Sequence, residues 1–522
     1  GHWMNVLLYA LTGYVLFITL GRYFNTSLVI PFVASLLFIA HPIHTEVVAN
    51  IKSRDEILGF LFTTGSMYFL YDYLFSEQKR WLFISAGMFF LALLSKESYI
   101  TYVALVPLVV YFFSDAPAAK NIRATLIMLA PAILFLVIRK AVLGSSLPAS
   151  QSIADNLLVA APDLGSRFAT AVYIMGIYLK LLFFPHPLVF DYSYNQIPII
   201  TMSDWRFLVS FAVYLALFIF AVTRFKRKDP VSFSIFTYFI FFSIYTNLVL
   251  IIGSSFGERF LYAAVLGFAL AISILLNRLF ANTDSKPSTI QAFLQQYARP
   301  VGLTALIVVI FGYKTFSRNA VWKNNLTLYT NDVKLSPNST RTHYYLGNLL
   351  TKDDYYKDLD SIGKIRMLDS AINELQRSVD IYPGFSDAYN QMGVAFYRKK
   401  DFAKAFEKYQ LALKANPTDA TVHNNLGTVL FESGRYQEAV NAFQQAIRYK
   451  KDYPEAYANL GSAHGMMQQY DQAIGYLHQA VKYDPEYAQA YFFLGITYRF
   501  KGDEKNAKIY LDKAQALDPK LK

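Results

Sequence analysis

The chain has 522 residues, a length that suggests more than one domain. Hydrophobic residues make up 54%, aromatic residues 17% and charged residues only 16%, where soluble domains average roughly 25% charged, so much of the chain is expected to face lipid. The net charge is +12. Basic loops on the cytoplasmic side of a membrane explain that excess more simply than nucleic-acid binding does, and no nucleic-acid partner is expected. Cysteine is absent, which excludes disulfides, thiolate metal sites and a cysteine nucleophile. The opening Gly1-His2-Trp3 does not read as a signal peptide, and the chain is expected to begin inside a longer protein.

A membrane helix needs about 20 mostly apolar residues. Candidate stretches run over 3–20, 27–40, 57–74, 81–94, 99–113 and 124–138, then over 168–184, 207–223, 233–252, 261–276 and 301–316. Orientation comes from short basic loops. Arg224-Phe225-Lys226-Arg227-Lys228 is the strongest cytoplasmic cue, and Lys79-Arg80, Lys120, Arg123 and Arg278 agree with it. Residues 41–56, 95–98, 253–262 and everything after Phe316 then fall on the opposite, external face. One conflict arises. Residues 139–167 and 185–206 both come out external, yet 168–184 lies between them, and a single crossing cannot join two external loops. Residues 155–184, broken at Pro162, are therefore expected to be re-entrant or to lie partly along the interface.

His41-Pro42-Ile43-His44-Thr45-Glu46 concentrates two histidines and a carboxylate at the external end of an apolar run. Ser95-Lys96-Glu97-Ser98, Asp191-Tyr192-Ser193-Tyr194 and Gly257-Glu258-Arg259-Phe260-Leu261-Tyr262 likewise join charge to aromatics. Ionisable residues at membrane depth are costly, so these are functional candidates. Plainer readings stand beside that one. Lys96/Glu97 and Glu258/Arg259 could be structural ion pairs, long cations can snorkel, and Asp191-Tyr192 could be an interfacial loop with tyrosine anchors. For His41, His44 and Glu46 three readings compete: a metal site, hydrogen-bonded structural histidines, and one edge of an active site. Histidines three apart share a helix face and a carboxylate would complete a zinc-like set. Pro42 between them argues against a regular helix, and no metal is expected. Arg54-Asp55 reads as a local ion pair.

From Ser386 onward the sequence repeats. Gly393, Gly427, Gly461 and Gly495 share one period, as do Ala405, Ala439, Ala473 and Ala507, and Ala412, Ala446, Ala480 and Ala514. Pro417, Pro485 and Pro519 keep the phase, with Lys451 replacing one proline. A period of about 34 residues with small residues at fixed places resembles the tetratricopeptide repeat, two antiparallel helices per unit. An earlier, fifth repeat carries Gly347, Ala371 and Pro383 and needs an insertion, expected in the loop 353–363. Residues 322–337 read as a lone helix joining the repeats to the last membrane helix. Stacked repeats form a solenoid with a concave groove. Asn390, Asn424, Tyr397, Phe431 and Arg499 fall on first-helix positions that usually face it. Asparagines there could hold an extended peptide backbone; alternatively they are solvated or pack between repeats.

The histidine motif continuing through Val47-Val48-Ala49-Asn50, with Arg54-Asp55, Leu94-Ser95-Lys96-Glu97, Asp191-Tyr192-Ser193, Glu258-Arg259-Phe260-Leu261-Tyr262 and the linker Trp322 before the repeats, is similar to one family. The chain resembles the transmembrane and tetratricopeptide-repeat O-mannosyltransferases, in particular bacterial relatives, over essentially its whole length. The resemblance implies an all-α protein. Residues 1–320 would form a polytopic GT-C-type membrane helix bundle, and residues 321–522 an external superhelix of about five repeats. It implies a glycosyltransferase that moves mannose or a related hexose from a polyprenyl-phosphate sugar to Ser/Thr of a protein acceptor, with no tightly bound cofactor. Such enzymes carry their principal aspartate on the first external loop, expected upstream of residue 1. Glu46 is then a supporting carboxylate. His41, His44, Lys96, Glu97, Asp191, Tyr192, Glu258 and Arg259 would surround the donor phosphate or sugar, with Lys96 and Arg259 on the phosphate, while the repeats engage the acceptor. The absence of cysteine leans towards a bacterial inner membrane with periplasmic repeats, the endoplasmic reticulum with lumenal repeats being the alternative. Two rival functions remain at this point: a non-enzymatic membrane scaffold working through its repeats, and another enzyme of lipid-linked glycans.

Overall fold

The computed structural model describes residues 2–76, 78–115, 117–144, 152–280, 287, 289–355 and 358–521. The chain divides into two compact units, Gly1–Pro337 and Asn338–Lys522. Among the described residues the regular structure is entirely helical.

The first unit contains α1 (His2–Tyr23), α2 (Val29–Ala40), α3 (Thr45–Ala49), α4 (Arg54–Ser76), α5 (Lys79–Ser95), α6 (Tyr102–Phe113) and α7 (Ala118–Leu143). It continues with α8 (Leu164–Phe183), α9 (Trp205–Phe225), α10 (Pro230–Phe242), α11 (Val265–Phe280), α12 (Ile290–Gln296), α13 (Ala298–Val321) and α14 (Asn325–Leu335). Five helices, α1, α7, α8, α9 and α13, are long and apolar enough to cross a membrane, and α2 with the segment Pro42–Ala49 makes a sixth if that bent pair is one span. The outer faces of α7, α9 and α13 carry rows of exposed Leu, Ile, Val and Phe, a surface suited to lipid and not to water.

Inside the bundle, several buried hydroxyls are satisfied by nearby groups. Thr63 and Thr64 donate to carbonyls one turn back, and Ser66 and Ser85 bond each other across α4 and α5 at 2.9 Å. Close approach needs glycine where α10 meets α11: a Cβ on Gly267 would stand 2.6 Å from both Ser234 O and Tyr238 N.

Two sequence expectations need correction in this unit. The apolar run 233–252 is not one helix. It leaves helical form after the short turn Ser243–Tyr245, because Asn247 takes a left-handed φ of 56° and spends its Oδ1 on Ile252 N–H and Asn156 Nδ2. The short helix α12 has no counterpart among the expected elements.

The course of α8 bears on the orientation conflict. Its first turns pack on the start of α9 through Phe168 and Phe207. Its middle packs on the end of α10 through Tyr178 and Phe242. Its last turn meets His41 and Phe268 through Leu182 and Phe183. Its middle also reaches the centre of α9, where the Tyr214 hydroxyl donates to Met175 O at 2.9 Å, and α8 keeps the length and apolarity of a membrane span.

The second unit is five helix pairs: α15 (Thr340–Leu350) with α16 (Ser361–Ile381), α17 (Ser386–Arg398) with α18 (Phe402–Ala415), α19 (Ala420–Glu432) with α20 (Tyr436–Tyr449), α21 (Pro454–Met466) with α22 (Tyr470–Tyr483), and α23 (Ala488–Lys501) with α24 (Glu504–Leu517). The repeat glycines sit where the helices of a pair touch. A Cβ on Gly393 would press the Tyr409 ring, on Gly427 the Phe443 ring and on Gly461 the Leu477 side chain, all within 3 Å. The period-locked alanines are fully buried. The extra residues of the first repeat do not all lie in a loop: α16 has 21 residues against 14 in α18, so part of the insertion lengthens the second helix. Residues 356–357 of that loop lie outside the described residues.

Candidate active site

Pro42 has no N–H to continue α2, and the chain bends there by 48°. His41 is turned inward by the bend. Its Nδ1 accepts from Ile43 N–H at 3.3 Å and its Nε2–H donates to Leu182 O at 3.0 Å, so both ring nitrogens are used by backbone. His44 Nδ1 meets the Tyr9 hydroxyl at 2.7 Å. The His44 ring lies between Phe38 and Tyr262, each with its centroid 4.7 Å away, and its Nε2 has no hydrogen-bond partner among the described residues. The Glu46 carboxylate turns elsewhere, to Arg259. The two histidines and Glu46 therefore do not converge on one point. Hydrogen-bonded structural histidines describe His41 best, and His44 keeps one open nitrogen in an aromatic cage.

Glu46 is buried, and both of its oxygens are taken by one residue. Oε1 accepts from Arg259 Nη1 at 2.6 Å and Oε2 from the Arg259 backbone N–H at 2.9 Å. The Arg259 side chain keeps 33% of its surface exposed, and its guanidinium lies 4.9 Å over the Phe260 ring. Arg259 also borders a cavity of about 10 Å³, room for about one water, whose other walls include Glu56, Ser98, Tyr99 and Tyr245. Behind Glu56, Lys96 Nζ donates to Asp55 Oδ2 at 2.7 Å and stands 3.2 Å from Glu56 Oε1. Arg54 and Asp55 diverge: Arg54 Nε donates to Asn5 Oδ1. Thus Glu46, Asp55, Glu56, Lys96 and Arg259 form one ionic cluster at the end of the bundle, assembled from α3, α4 and the segments after α5 and before α11.

Glu97 is not part of it. It pairs with Arg139 at 2.9 Å on an exposed face. Glu258 also points away from its neighbour Arg259, because the 3₁₀ turn Glu258–Leu261 rotates successive side chains by a third of a circle. Glu258 is fully buried. Its Oε1 accepts from Val189 N–H at 2.5 Å and from the Tyr192 hydroxyl at 3.1 Å, while Oε2 has no partner among the described residues. Burial, with the charge of Glu46 adding to it against the pull of Arg318, pushes its carboxyl up to about 8. Tyr192 is buried beside it. Asp191 Oδ1 accepts from Ser193 N–H at 2.8 Å, and its carbonyl accepts from Ser336 Oγ at 3.2 Å.

Tyr9, Tyr178, Arg318 and Asp332 escaped sequence reasoning, and Glu56, the end of the stretch 41–56, carried no assigned role there. Tyr178, on α8, accepts from Gly257 N–H at 2.8 Å. Arg318 and Asp332 form a buried pair at 3.1 Å, and Asp332 accepts from Phe190 N–H. The loop between α8 and α9 is thereby fastened to Glu258 on one side and to α13 and α14 on the other. Only Glu56 had a signal, since it directly follows Arg54-Asp55.

In the second unit, Tyr397 and Phe431 line an open groove of about 410 Å³ together with Asn459, Tyr470, Phe492 and Phe500. Asn390 and Asn424 lie outside its lining. Each accepts through Oδ1 from the next repeat, from Asn425 and Asn459 respectively, at 3.0 Å, a ladder that ties successive repeats together. Arg499 stands 4.0 Å from Glu504 and does not line the groove.

Comparison with known proteins agrees with this two-part architecture. Residues 144–218, spanning α8, its following loop and most of α9, match the family model described as protein O-mannosyl-transferase TMTC, DUF1736. Residues 395–434 and 427–468 match a TPR repeat model, and residues 466–521 a tetratricopeptide repeat model. Protein O-mannosyl-transferase F38B6.6 of Caenorhabditis elegans is 26% identical over 370 residues, covering 69% of this chain and 49% of that protein. Protein O-mannosyl-transferase TMTC2 of Homo sapiens is 27% identical over 442 residues, covering 69% of this chain and 51% of that protein. The chain resembles the TMTC protein O-mannosyl-transferases. It spans about half the length of the curated relatives it matches. Among solved structures, YrrB, a TPR protein with an unusual peptide-binding site, covers 37% of this chain and 92% of its own at 21% identity and a TM-score of 0.30.

Proposed function

We propose that this chain is the catalytic membrane portion, with acceptor-engaging repeats, of a protein O-mannosyltransferase. It moves mannose or a related hexose from a polyprenyl-phosphate carrier to a serine or threonine hydroxyl. The observation that carries this reading is the likeness to named O-mannosyl-transferases over about two thirds of the chain. The reaction needs a base for the hydroxyl proton and positive or hydrogen-bonding groups for the departing lipid phosphate.

The ionic cluster supports the second requirement. Arg259 is held by Glu46 yet keeps a third of its side chain exposed, which suits a phosphate-facing guanidinium. Lys96 serves the same end of the bundle, steadied by Asp55 and Glu56. Glu46, with both oxygens engaged, positions Arg259 and is not free to take a proton. The site end is the face opposite Arg224, which on the basic-loop rule is the external one. The groove lined by Tyr397 and Phe431 in the repeats receives the acceptor segment.

Incubation of the full chain in nanodiscs with a polyprenyl-phosphate mannose and a Ser/Thr-rich peptide tests the reading. Hexose recovered on the peptide supports it. Hexose recovered on lipid would make the protein a lipid-modifying transferase instead. Partner capture by the repeats with no transfer to either would favour a scaffold.

A further inference from the structure

The groove of about 410 Å³ in the repeats owes its depth to one change within the period. Tyr397 and Phe431 occupy the same place in successive repeats, and in the next repeat that place is taken by Gly465. A ring there would fill space that glycine leaves open: a Cβ on Gly465 would meet nothing closer than Thr497 Oγ1 at 3.9 Å. Most of the lining comes from four successive first helices, α17, α19, α21 and α23. Adjacent helices stand about 8–10 Å apart, so the track is roughly 24–30 Å long, the reach of about seven to nine residues of extended chain at about 3.3 Å each. That shape suits a peptide strand better than a compact molecule.

The chemistry changes along the track. At the α17–α19 end stand Tyr397, Phe431 and Glu432. Among the described residues that line the groove, Glu432 alone is charged. It holds a place that Met466 and Phe500 fill in the next two repeats. It is exposed and has no ion-pair or hydrogen-bond partner among the described residues. Burial, then the charge of Glu432, hold the Tyr397 hydroxyl above its usual value, which puts the carboxylate near that ring. The arginines nearest in sequence are already balanced, Arg398 by Asp353 and Arg435 by Glu438. An unbalanced carboxylate beside two rings is a setting for a cation, drawn by the charge and held on the ring faces. At the other end, Met466, Phe492 and Phe500 line the groove with Gly465, a setting for a bulky apolar side chain.

Polar groups between the two ends are left for a peptide backbone. The asparagine ladder stops at Asn459, since Ala458 and Phe493 stand where its next pair would be. Asn459 gives its Nδ2 to Asn424, and its Oδ1 has no partner among the described residues. Ser462 Oγ, also in the lining, is buried and has none there either.

We propose that the groove selects an extended peptide segment by two side chains, a basic one at Tyr397, Phe431 and Glu432 and a bulky apolar one over Gly465, set about three to six residues apart. That the segment is a glycosylation acceptor rests on the transferase reading above; the recognition does not. Fluorescence anisotropy with the full chain in phosphatidylcholine nanodiscs tests it, using labelled Ser/Thr-rich peptides about nine residues long that carry Phe and Arg four positions apart. Replacing either Phe or Arg by Ala is expected to weaken binding about tenfold. Glu432→Gln should abolish the preference for Arg and keep that for Phe. Glu432→Arg should reverse the charge preference, favouring a peptide with Glu in place of Arg. Gly465→Phe, which supplies the ring that the two preceding repeats carry and removes a helical glycine, should abolish the preference for Phe, with melting in detergent checking that it folds. A parent that does not discriminate at both positions, or preferences unchanged in these variants, overturns the proposal. Hexose transfer measured on the same peptides separates the two readings. Binding with these preferences and no transfer supports the groove while counting against the transferase, and transfer without the preferences counts against the groove alone.

Discussion

Glu46 and Arg259 are 213 positions apart in sequence and hold each other twice, side chain to side chain at 2.6 Å and carboxylate to backbone N–H at 2.9 Å. The pair locks the bent segment after α2 to the turn before α11. It fixes where a guanidinium stands at the end of the bundle.

Removing one member strands the other. Arg259→Gln leaves the buried Glu46 carboxylate without its cation, which should cost roughly 3 kcal/mol. Adding Glu46→Gln should restore more than half of that loss, because the double variant buries no unpaired charge. Thermal melting of the four proteins in detergent, read as a double-mutant cycle, checks this. Additive losses would mean that the two residues act independently.

Glu258 makes the fold sensitive to rising pH. Its carboxyl is raised to about 8 in the native state by burial, against about 4.3 in an unfolded chain. The neutral form is thus favoured by folding. That stability is fully present below the unfolded value and is lost as pH rises through about 8. Melting temperature should fall as pH rises from about 4.3 to about 8 in the parent, level off above that, and change much less in Glu258→Gln. A parallel fall in both proteins would assign the sensitivity elsewhere.

The turns within the repeats contain two avoidable costs. Gly434 and Gly502 take left-handed φ values of 74° and 90°, and Lys400 and Gln468 occupy the matching places at 61° each. A side chain in that conformation costs roughly 1 kcal/mol relative to glycine. Lys400→Gly and Gln468→Gly should each stabilise the repeats by about 0.5–1 kcal/mol, part of the gain being offset by glycine's freedom in the unfolded chain. Denaturant unfolding checks the sign, and a loss of stability would contradict it.

The acceptor role proposed for the aromatic groove of the repeats is testable at Phe431. Phe431→Ala should raise the KM for a peptide acceptor by about tenfold, roughly 1.4 kcal/mol of binding, with kcat little changed, as for a contact that binds ground state and transition state alike. Asn390→Ala should act differently. It removes a rung between repeats and should lower the melting temperature more than it changes KM. Equal effects on KM would put both residues on the acceptor.

Much of this was legible in the chain itself. Apolar runs of membrane length and a strict 34-residue period report local geometry, and local geometry is what side-chain order encodes. Pairing between distant segments was not legible. Lys96 and Glu97 are adjacent, but one turns to Asp55 and the other to Arg139, because a helix end sends neighbouring side chains to different faces. Glu258 and Arg259 part in the same way. Asn390 and Asn424 sat on positions suited to a peptide, and the contact that engages them comes from the next repeat, which spacing alone does not reveal. Asp332 gave no signal at all, its role depending on Arg318 and Phe190 N–H across a fold that only packing defines.

The central claim is that the cation of Arg259 serves transfer of a hexose from a lipid phosphate to a protein hydroxyl. Intact-mass spectrometry of a Ser/Thr peptide, after incubation with polyprenyl-phosphate mannose and the full chain in nanodiscs, tests it most directly when the parent is compared with Glu46→Gln/Arg259→Gln, the variant expected to remain folded. A gain of one hexose with the parent and a rate lower by about a hundredfold or more in the double variant is the predicted result. Equal rates in the two proteins, or no hexose on the peptide with either, would contradict it.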